Sequence, residues 1–365
     1  MVHLGREMTQ ALIAEYGPRQ FVRRMADPVW FQSLGTVLAF DWNASGLTTI
    51  LTAALKEAIR GQERDLGIFI CGGKGRTSLK TPEEITRWGK WLSLPAGDTN
   101  NLVYNSKMAA KVDSSLVQDG FQIYHHSFMF SKNGAWAVVQ QGMNKENQTA
   151  RRYHWFSENI KDLVCEPHSG IASEVKQSIV MDLTSAKSDK TRNISAELVA
   201  GGYNTVMKDI EILRKHSSSL SKMIAVKFNR SDANRLTLLK LADTEFSYHP
   251  VVHEDFSKSK YLEKILRKVC DAKPVGYEKL LAIEGVGPKT MRALALVSEI
   301  IYGAKPSYED PARYSFAHGG KDATPYPVDR ETYDKTIAVL GEAVRKTKLS
   351  YNEKDKALKR LFNGI

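Results

Sequence analysis

Phe121-Gln122-Ile123-Tyr124-His125-His126-Ser127-Phe128-Met129-Phe130 and Ala135-Trp136-Ala137-Val138-Val139-Gln140-Gln141 are two apolar runs separated by Ser131-Lys132-Asn133-Gly134. Asn-Gly between such runs marks a tight reversal, because both residues tolerate the positive backbone angles a hairpin turn needs. The spacing predicts an antiparallel β-hairpin. Successive side chains on a strand point to opposite faces, so His125 and His126 must part, as must Gln140 and Gln141. One His and one Gln can then meet on a single face.

Residues 101–155, which include this hairpin, hold the densest polar chemistry of the chain and read as mostly β. Asp113, Asp119, His125, His126, Gln140, Gln141 and Arg152 are the candidate catalytic residues there. Carboxylate, imidazole, amide and guanidinium groups together supply what phosphate chemistry requires: an acid or base, positioning and charge neutralisation. The expectation is a concave polar site in which His125 or His126 joins Asp119, Gln140 and Arg152. The alternative is a sheet whose polar groups satisfy one another. Spacing alone defines no catalytic triad and no metal-ligand set.

Upstream, apolar spacing predicts two helices over 8–26, broken at Tyr16-Gly17-Pro18, and a third over Leu47–Ile59. Val37 to Trp42 reads as a strand or short helix. The run Leu66–Cys71 reads as a buried strand feeding the basic loop Gly72-Gly73-Lys74-Gly75-Arg76, which makes Lys74 and Arg76 candidate phosphate contacts. That loop has neither the Walker nor the dinucleotide-binding spacing. Thr81 reads as the cap of a helix running through Trp91. A polar, Ser-rich stretch over 185–235 surrounds a helix-like Ile194–Leu213 and reads as a hinge. Beyond Tyr261 helical spacing recurs over 259–270, 276–282, 288–303 and 330–348, with a Pro- and Gly-rich loop over 304–329. The expected fold is α+β: a mixed α/β domain with an antiparallel hairpin (1–180), a connecting segment (181–245) and an all-α domain (246–365).

Within that last part, Leu280-Leu281-Ala282-Ile283-Glu284-Gly285-Val286-Gly287-Pro288-Lys289-Thr290 predicts two helices joined by a tight turn. Pro288 suits a first helical position, and the free amides and positive dipole end of the second helix favour an anion. The string resembles the helix-hairpin-helix motif of DNA repair proteins, with Leu280, Leu281 and Ile283 at its packing positions. The resemblance implies backbone binding of duplex DNA through Gly285, Val286, Gly287, Lys289 and Thr290. In glycosylases carrying this motif, the lysine at the place of Lys289 attacks the sugar and an aspartate assists. Asp310 is the residue that the resemblance offers for that role.

Lys111-Val112-Asp113-Ser114, Gln118-Asp119-Gly120, Tyr124-His125-His126, Trp136 through Asn144 and Ala150-Arg151-Arg152-Tyr153-His154-Trp155 together resemble the prokaryotic family catalogued as domain of unknown function 763. Phe40-Asp41-Trp42, Gly72 through Gly75, Lys80 through Ile85 and His318-Gly319-Gly320-Lys321-Asp322 extend the resemblance along nearly the whole chain. It leads one to expect a His and a Ser where Asn43 and Ala44 stand, and a further segment before residue 1. His126 to Asn144 is also similar to phospholipase D-like phosphodiesterases, except that Phe128 stands where their phosphate-neutralising lysine belongs.

Composition is consistent with a polyanion partner: 365 residues carry a formal net charge of +11 and a pI near 9.3. No apolar run reaches bilayer length, and Cys71, Cys165 and Cys270 show no metal spacing, so a cytoplasmic, non-membrane protein with reduced thiols is expected. The functional expectation is a DNA-binding protein of repair or processing that cleaves DNA as a nuclease or glycosylase-lyase. Its alternative is a non-catalytic DNA- or RNA-binding module. A divalent metal is the cofactor a nuclease would call for.

Overall fold

The computed structural model describes residues 1–38, 46–145, 150–168, 179–217, 259–311 and 330–363. Asn43, Ala44, the Phe40–Trp42 segment, His318–Asp322 and residues 218–235 of the expected hinge lie outside them. The fold is α+β, with antiparallel sheets in the N-terminal half and a helical C-terminal part. Close contacts divide it into two units, and the division differs from the expected boundaries. The first comprises 1–113, 120–178 and 311–365, the second 114–119 and 179–310.

The first unit is built on a four-stranded antiparallel sheet of order β1-β3-β4-β5, from β1 (Ile68–Lys74), β3 (Gln122–Ser131), β4 (Trp136–Met143) and β5 (Ala150–Phe156). The predicted hairpin is β3–β4, and Gly134 takes the positive φ (86°) its turn requires. Helices α1 (Val2–Ala26), α2 (Pro28–Val37) and α3 (Leu47–Ala58) contribute to one apolar core with Ile68, Ile70, Met129, Ala137, Val139 and Phe156 of the sheet. Gly17 leaves helical angles (φ 78°), so α1 is two helices broken where the sequence predicts. On the opposite sheet face, Phe69 stacks near Trp88 of α5 (Thr81–Trp91), and α6 (Ala96–Ser115) carries Ser106 and Asp113 to the strands. The expectation of mostly β structure over 101–155 thus fails for its first fifteen residues. Thr81 is not a cap: Lys80 precedes the helix, and the Thr81 hydroxyl donates to the Ser78 carbonyl. Gly61-Gln62 leads into the short α4 (Glu63–Leu66) ahead of β1.

Two C-terminal helices, α12 (Arg330–Lys346) and α13 (Tyr351–Asn363), complete this same core through Leu340, Val344, Ala357 and Leu361. They were expected in a separate all-α domain. Their apolar stripe shows which face is buried but not which partner buries it.

The second unit has a three-stranded sheet of order β2-β6-β7, from β2 (Val117–Gln118), β6 (Ile179–Asp182) and β7 (Ser307–Glu309). Its helices are α7 (Asp189–Ala200), α8 (Tyr203–Ser217), α9 (Lys260–Ala272), α10 (Gly276–Ala282) and α11 (Pro288–Ile300). The single helix expected over Ile194–Leu213 is two, parted at Gly201-Gly202. No helix among the described residues is long and apolar enough to cross a membrane.

Gly72 shows how closely β1 approaches β3. At its φ of +85°, a Cβ would lie 2.3 Å from the His126 carbonyl oxygen and 2.4 Å from the Thr81 hydroxyl. Gly72→Ala should therefore lower unfolding free energy by at least about 2 kcal/mol. Gly134→Ala, also at positive φ but in open space, should cost only about 1 kcal/mol. Urea unfolding midpoints at neutral pH decide between these values.

Candidate functional site

Strand register places the polar side chains on two separate faces. His126 lies opposite Gln140 and Gly73, and His125 opposite Gln141 and Lys74. One His and one Gln do converge on each face, as alternation predicts.

The α6 face holds a buried relay. Gln140 Nε2 donates to Asp113 Oδ2, in a very short contact, and to the Ala109 carbonyl at 3.0 Å. Its Oε1 is thereby left to accept from His126 Nδ1 at 2.8 Å. A neutral imidazole then offers Nε2 as acceptor, and the Ser106 hydroxyl lies 2.9 Å from it. Asp113 Oδ2 also accepts from the Trp155 indole at 2.7 Å. His168 Nε2 lies 2.9 Å from Asp113 Oδ1, in an alignment that falls short of a hydrogen bond. Asp113 is wholly buried and Ser106 nearly so, at 2 % exposed. Sequence reasoning named three members of this relay and missed Ser106, which carried no motif.

The opposite face holds His125, Gln141, Arg152 and His154. His125 Nε2 lies 3.2 Å from the Thr52 hydroxyl, and Gln141 donates to the Tyr124 hydroxyl at 2.7 Å. Arg152 donates to Gln32 Oε1 at 3.0 Å, its guanidinium 4.8 Å from the Phe31 ring centre. Arg152 is therefore across the sheet from His126, Gln140 and Asp113. Asp119 belongs to the second unit. Arg152 and Gln140 therefore do not share one site, and the carboxylate linked to His126 is Asp113, through Gln140. Phe128 is fully buried and stacks on Trp136 at 5.4 Å, a core role with no counterpart in a phosphodiesterase site.

Among the described residues no three His, Cys, Asp or Glu side chains are placed to hold a metal ion. Lys74 and Arg76 are exposed, at the end of β1 and in the 3-10 turn Gly75–Lys80 that follows it.

In the second unit, α10 and α11 are joined by a turn in which the Val286 amide donates to the Ile283 carbonyl at 3.2 Å and Gly285 takes φ +93°. Leu280, Leu281 and Val286 are buried, and so is Thr290, which removes its side chain from any ligand-binding role. Gly285 packs inward: a Cβ there would meet Ile265 Cδ1 at 2.5 Å. Gly287 has open space around its Cα, precedes Pro288 at the first position of α11, and sits beside the exposed Lys289. Among the described residues no carbonyl accepts from the Gly287 or Lys289 amide. Gln118 donates to the Pro288 carbonyl at 3.1 Å and accepts from Arg292, which steadies that helix start. Glu284 opposes an anion, and Lys268, 3.6 Å from its carboxylate, offsets it. Asp310 is 2 % exposed, whereas the Lys289 amine is in solvent.

The fold and its relay define an α+β protein with a polar-centred antiparallel sheet. The chain belongs to the family described as Protein of unknown function (DUF763), whose pattern matches residues 1–328. No curated protein and no solved structure matches it.

Burial lowers the pKa of three imidazoles. His125 is pushed down to about 3, by desolvation first and then by His126 and Lys74. Desolvation likewise lowers His126 and, more strongly, His154, where Arg152 adds to it. The folded chain therefore binds fewer protons than the unfolded chain below the ordinary histidine value of 6.5. Stability fully present above that value falls as pH drops through it toward about 3 for His125. Urea unfolding at successive pH values should show the decline. His154→Phe should make the acid-side slope shallower by up to about 1.4 kcal/mol per pH unit. An unchanged slope rejects the assignment.

Proposed function

We propose that this protein binds DNA and acts in its repair or processing, with the turn between α10 and α11 as the element that holds the phosphate backbone. The observation carrying this reading is the start of α11: open space at Gly287, two amides that no carbonyl among the described residues reaches and the exposed Lys289 amine lie together at the positive end of a thirteen-residue helix. The resemblance of this string to the helix-hairpin-helix motif supports duplex DNA over other anions. Contacts of this kind position a duplex without reading its sequence. The net charge of +11 favours the encounter. A buried polar relay supports a structural role for the central sheet, which leaves the turn as the functional surface.

Gly287→Val tests this directly, because the backbone there (φ −148°) is extended and accepts a branched side chain without strain. The variant should fold, lose at least about tenfold in duplex affinity across unrelated sequences and show a weaker salt dependence. Anisotropy at two salt concentrations measures both. A folded variant with unchanged affinity overturns the proposal. Gly285→Val is a poor substitute, since its clash with Ile265 would be read as lost binding.

Strand cleavage at abasic sites is a second reading, favoured by the exposed Lys289 amine. Adding that amine to the sugar aldehyde and expelling water would give an imine that borohydride reduces to a stable adduct. The adduct should form with abasic DNA and vanish in Lys289→Ala. Duplex binding with no adduct leaves the non-catalytic binding module as the function.

A further inference from the structure

The first unit carries an open groove of about 1250 Å³ along α5 and α6, lined by Pro82, Thr86, Trp88, Trp91, Val103 and Lys107 among others. Trp91 is 52 % exposed at its mouth, an unusual place for the most costly aromatic side chain to leave in water. It does not hang free. Trp88 meets it edge-on at 5.2 Å between ring centres, and Trp88 in turn lies 5.2 Å from Phe69, which is buried in β1. The sheet therefore braces the Trp88 ring, and Trp88 braces Trp91, so little freedom remains for a ligand to freeze out.

Positive charge surrounds these rings. Arg64 stands 5.6 Å from the Trp91 ring centre and Arg87 5.6 Å from that of Trp88. Arg87, Lys90 and Lys107 line the groove with Glu63 and Glu83, and Arg64 adds a fourth cation. All four cations are exposed. None of them pairs with a carboxylate among the described residues. Exposed cations flanking a braced, solvent-facing indole suit a ligand that joins flat apolar rings to regularly spaced anions.

We propose that this groove binds an unpaired nucleic-acid strand, with a base stacked on Trp91 and the backbone phosphates passing Arg87, Lys90 and Lys107. A duplex keeps its base faces stacked inside and cannot present one to the indole, so this site differs in ligand from the turn at Gly287. Stacking on an aromatic face tolerates any base, which makes the groove indifferent to sequence. The inference goes beyond the duplex-binding proposal and stands without it.

The test uses the full chain and a labelled oligothymidylate of about 15 nucleotides followed by anisotropy. Trp91→Ala should weaken binding about tenfold or more, and Trp91→Phe should retain most of it. A base-free oligomer of the same phosphate spacing should bind much more weakly than the oligothymidylate. Duplex affinity should be unchanged in Trp91→Ala, while Gly287→Val should do the reverse, so the two proposals fail separately. If Trp91→Ala does not fold, the exposed pair Lys90→Ala and Lys107→Ala carries the test through a reduced affinity and a salt slope lower by about 1.4. Unchanged oligothymidylate binding in the folded variants, or equal binding of the base-free oligomer, overturns the assignment.

Discussion

The carboxylate of Asp113, wholly buried between α6 and the central sheet, sets the arrangement around it. Removing a carboxylate from water costs several kcal/mol, and the cost is offset only where good donors reach it. Here the donors are Trp155 of β5 and Gln140 of β4, with His168 close by. Once Asp113 and the Ala109 carbonyl hold the Gln140 amide, its oxygen faces His126, the proton of His126 goes to Nδ1, and Ser106 is drawn to Nε2. One buried charge thus determines how far α6 stands from two strands and which tautomer a third strand carries.

The same sheet keeps its two polar sets apart. Trp136, Phe128 and Phe130 separate themselves from Met129, Ala137 and Val139 by simple alternation, and the polar residues obey the same rule. His126 and Gln140 serve α6. His125, Gln141, Arg152 and His154 face the other way, where Arg152 meets Gln32 and His154 meets Phe31. Each set ties its layer to the strands through directed bonds that apolar packing alone would not specify. A Ser–His pair with its imidazole oriented by an amide has the parts of a nucleophile, but Ser106 has no solvent path comparable to the surfaces at Lys289 and Trp91.

Chemistry available to a large ligand lies where polar groups remain unsatisfied and exposed. The start of α11 leaves amides and an ammonium in water, and the α5–α6 groove leaves an indole and three cations there, with Arg64 beside the indole. Both are positive, and they differ in what accompanies the charge: bare backbone in one case, an aromatic face in the other. That difference is what separates affinity for a duplex backbone from affinity for an unstacked base.

Much of this was legible in the residues. Asn133-Gly134 between apolar runs located the hairpin, Gly17-Pro18 the break in α1, and Gly285 through Lys289 the turn before α11, because each depends on local backbone preference. Alternation also determined that His125 and His126 part. The sequence could not show that 96–115 would be helix, since its polar residues disguise the buried stripe, nor that β2 and β7 would each give two or three residues to a sheet completed far along the chain. It grouped Asp119 and Arg152 with His126 by proximity in the chain, whereas tertiary structure assigned one to another unit and the other to the far side of the strands. Local angles follow from neighbouring residues. Which carboxylate is buried, which faces meet and which helices return to the first core follow from contacts between distant segments, and only folding brings those together.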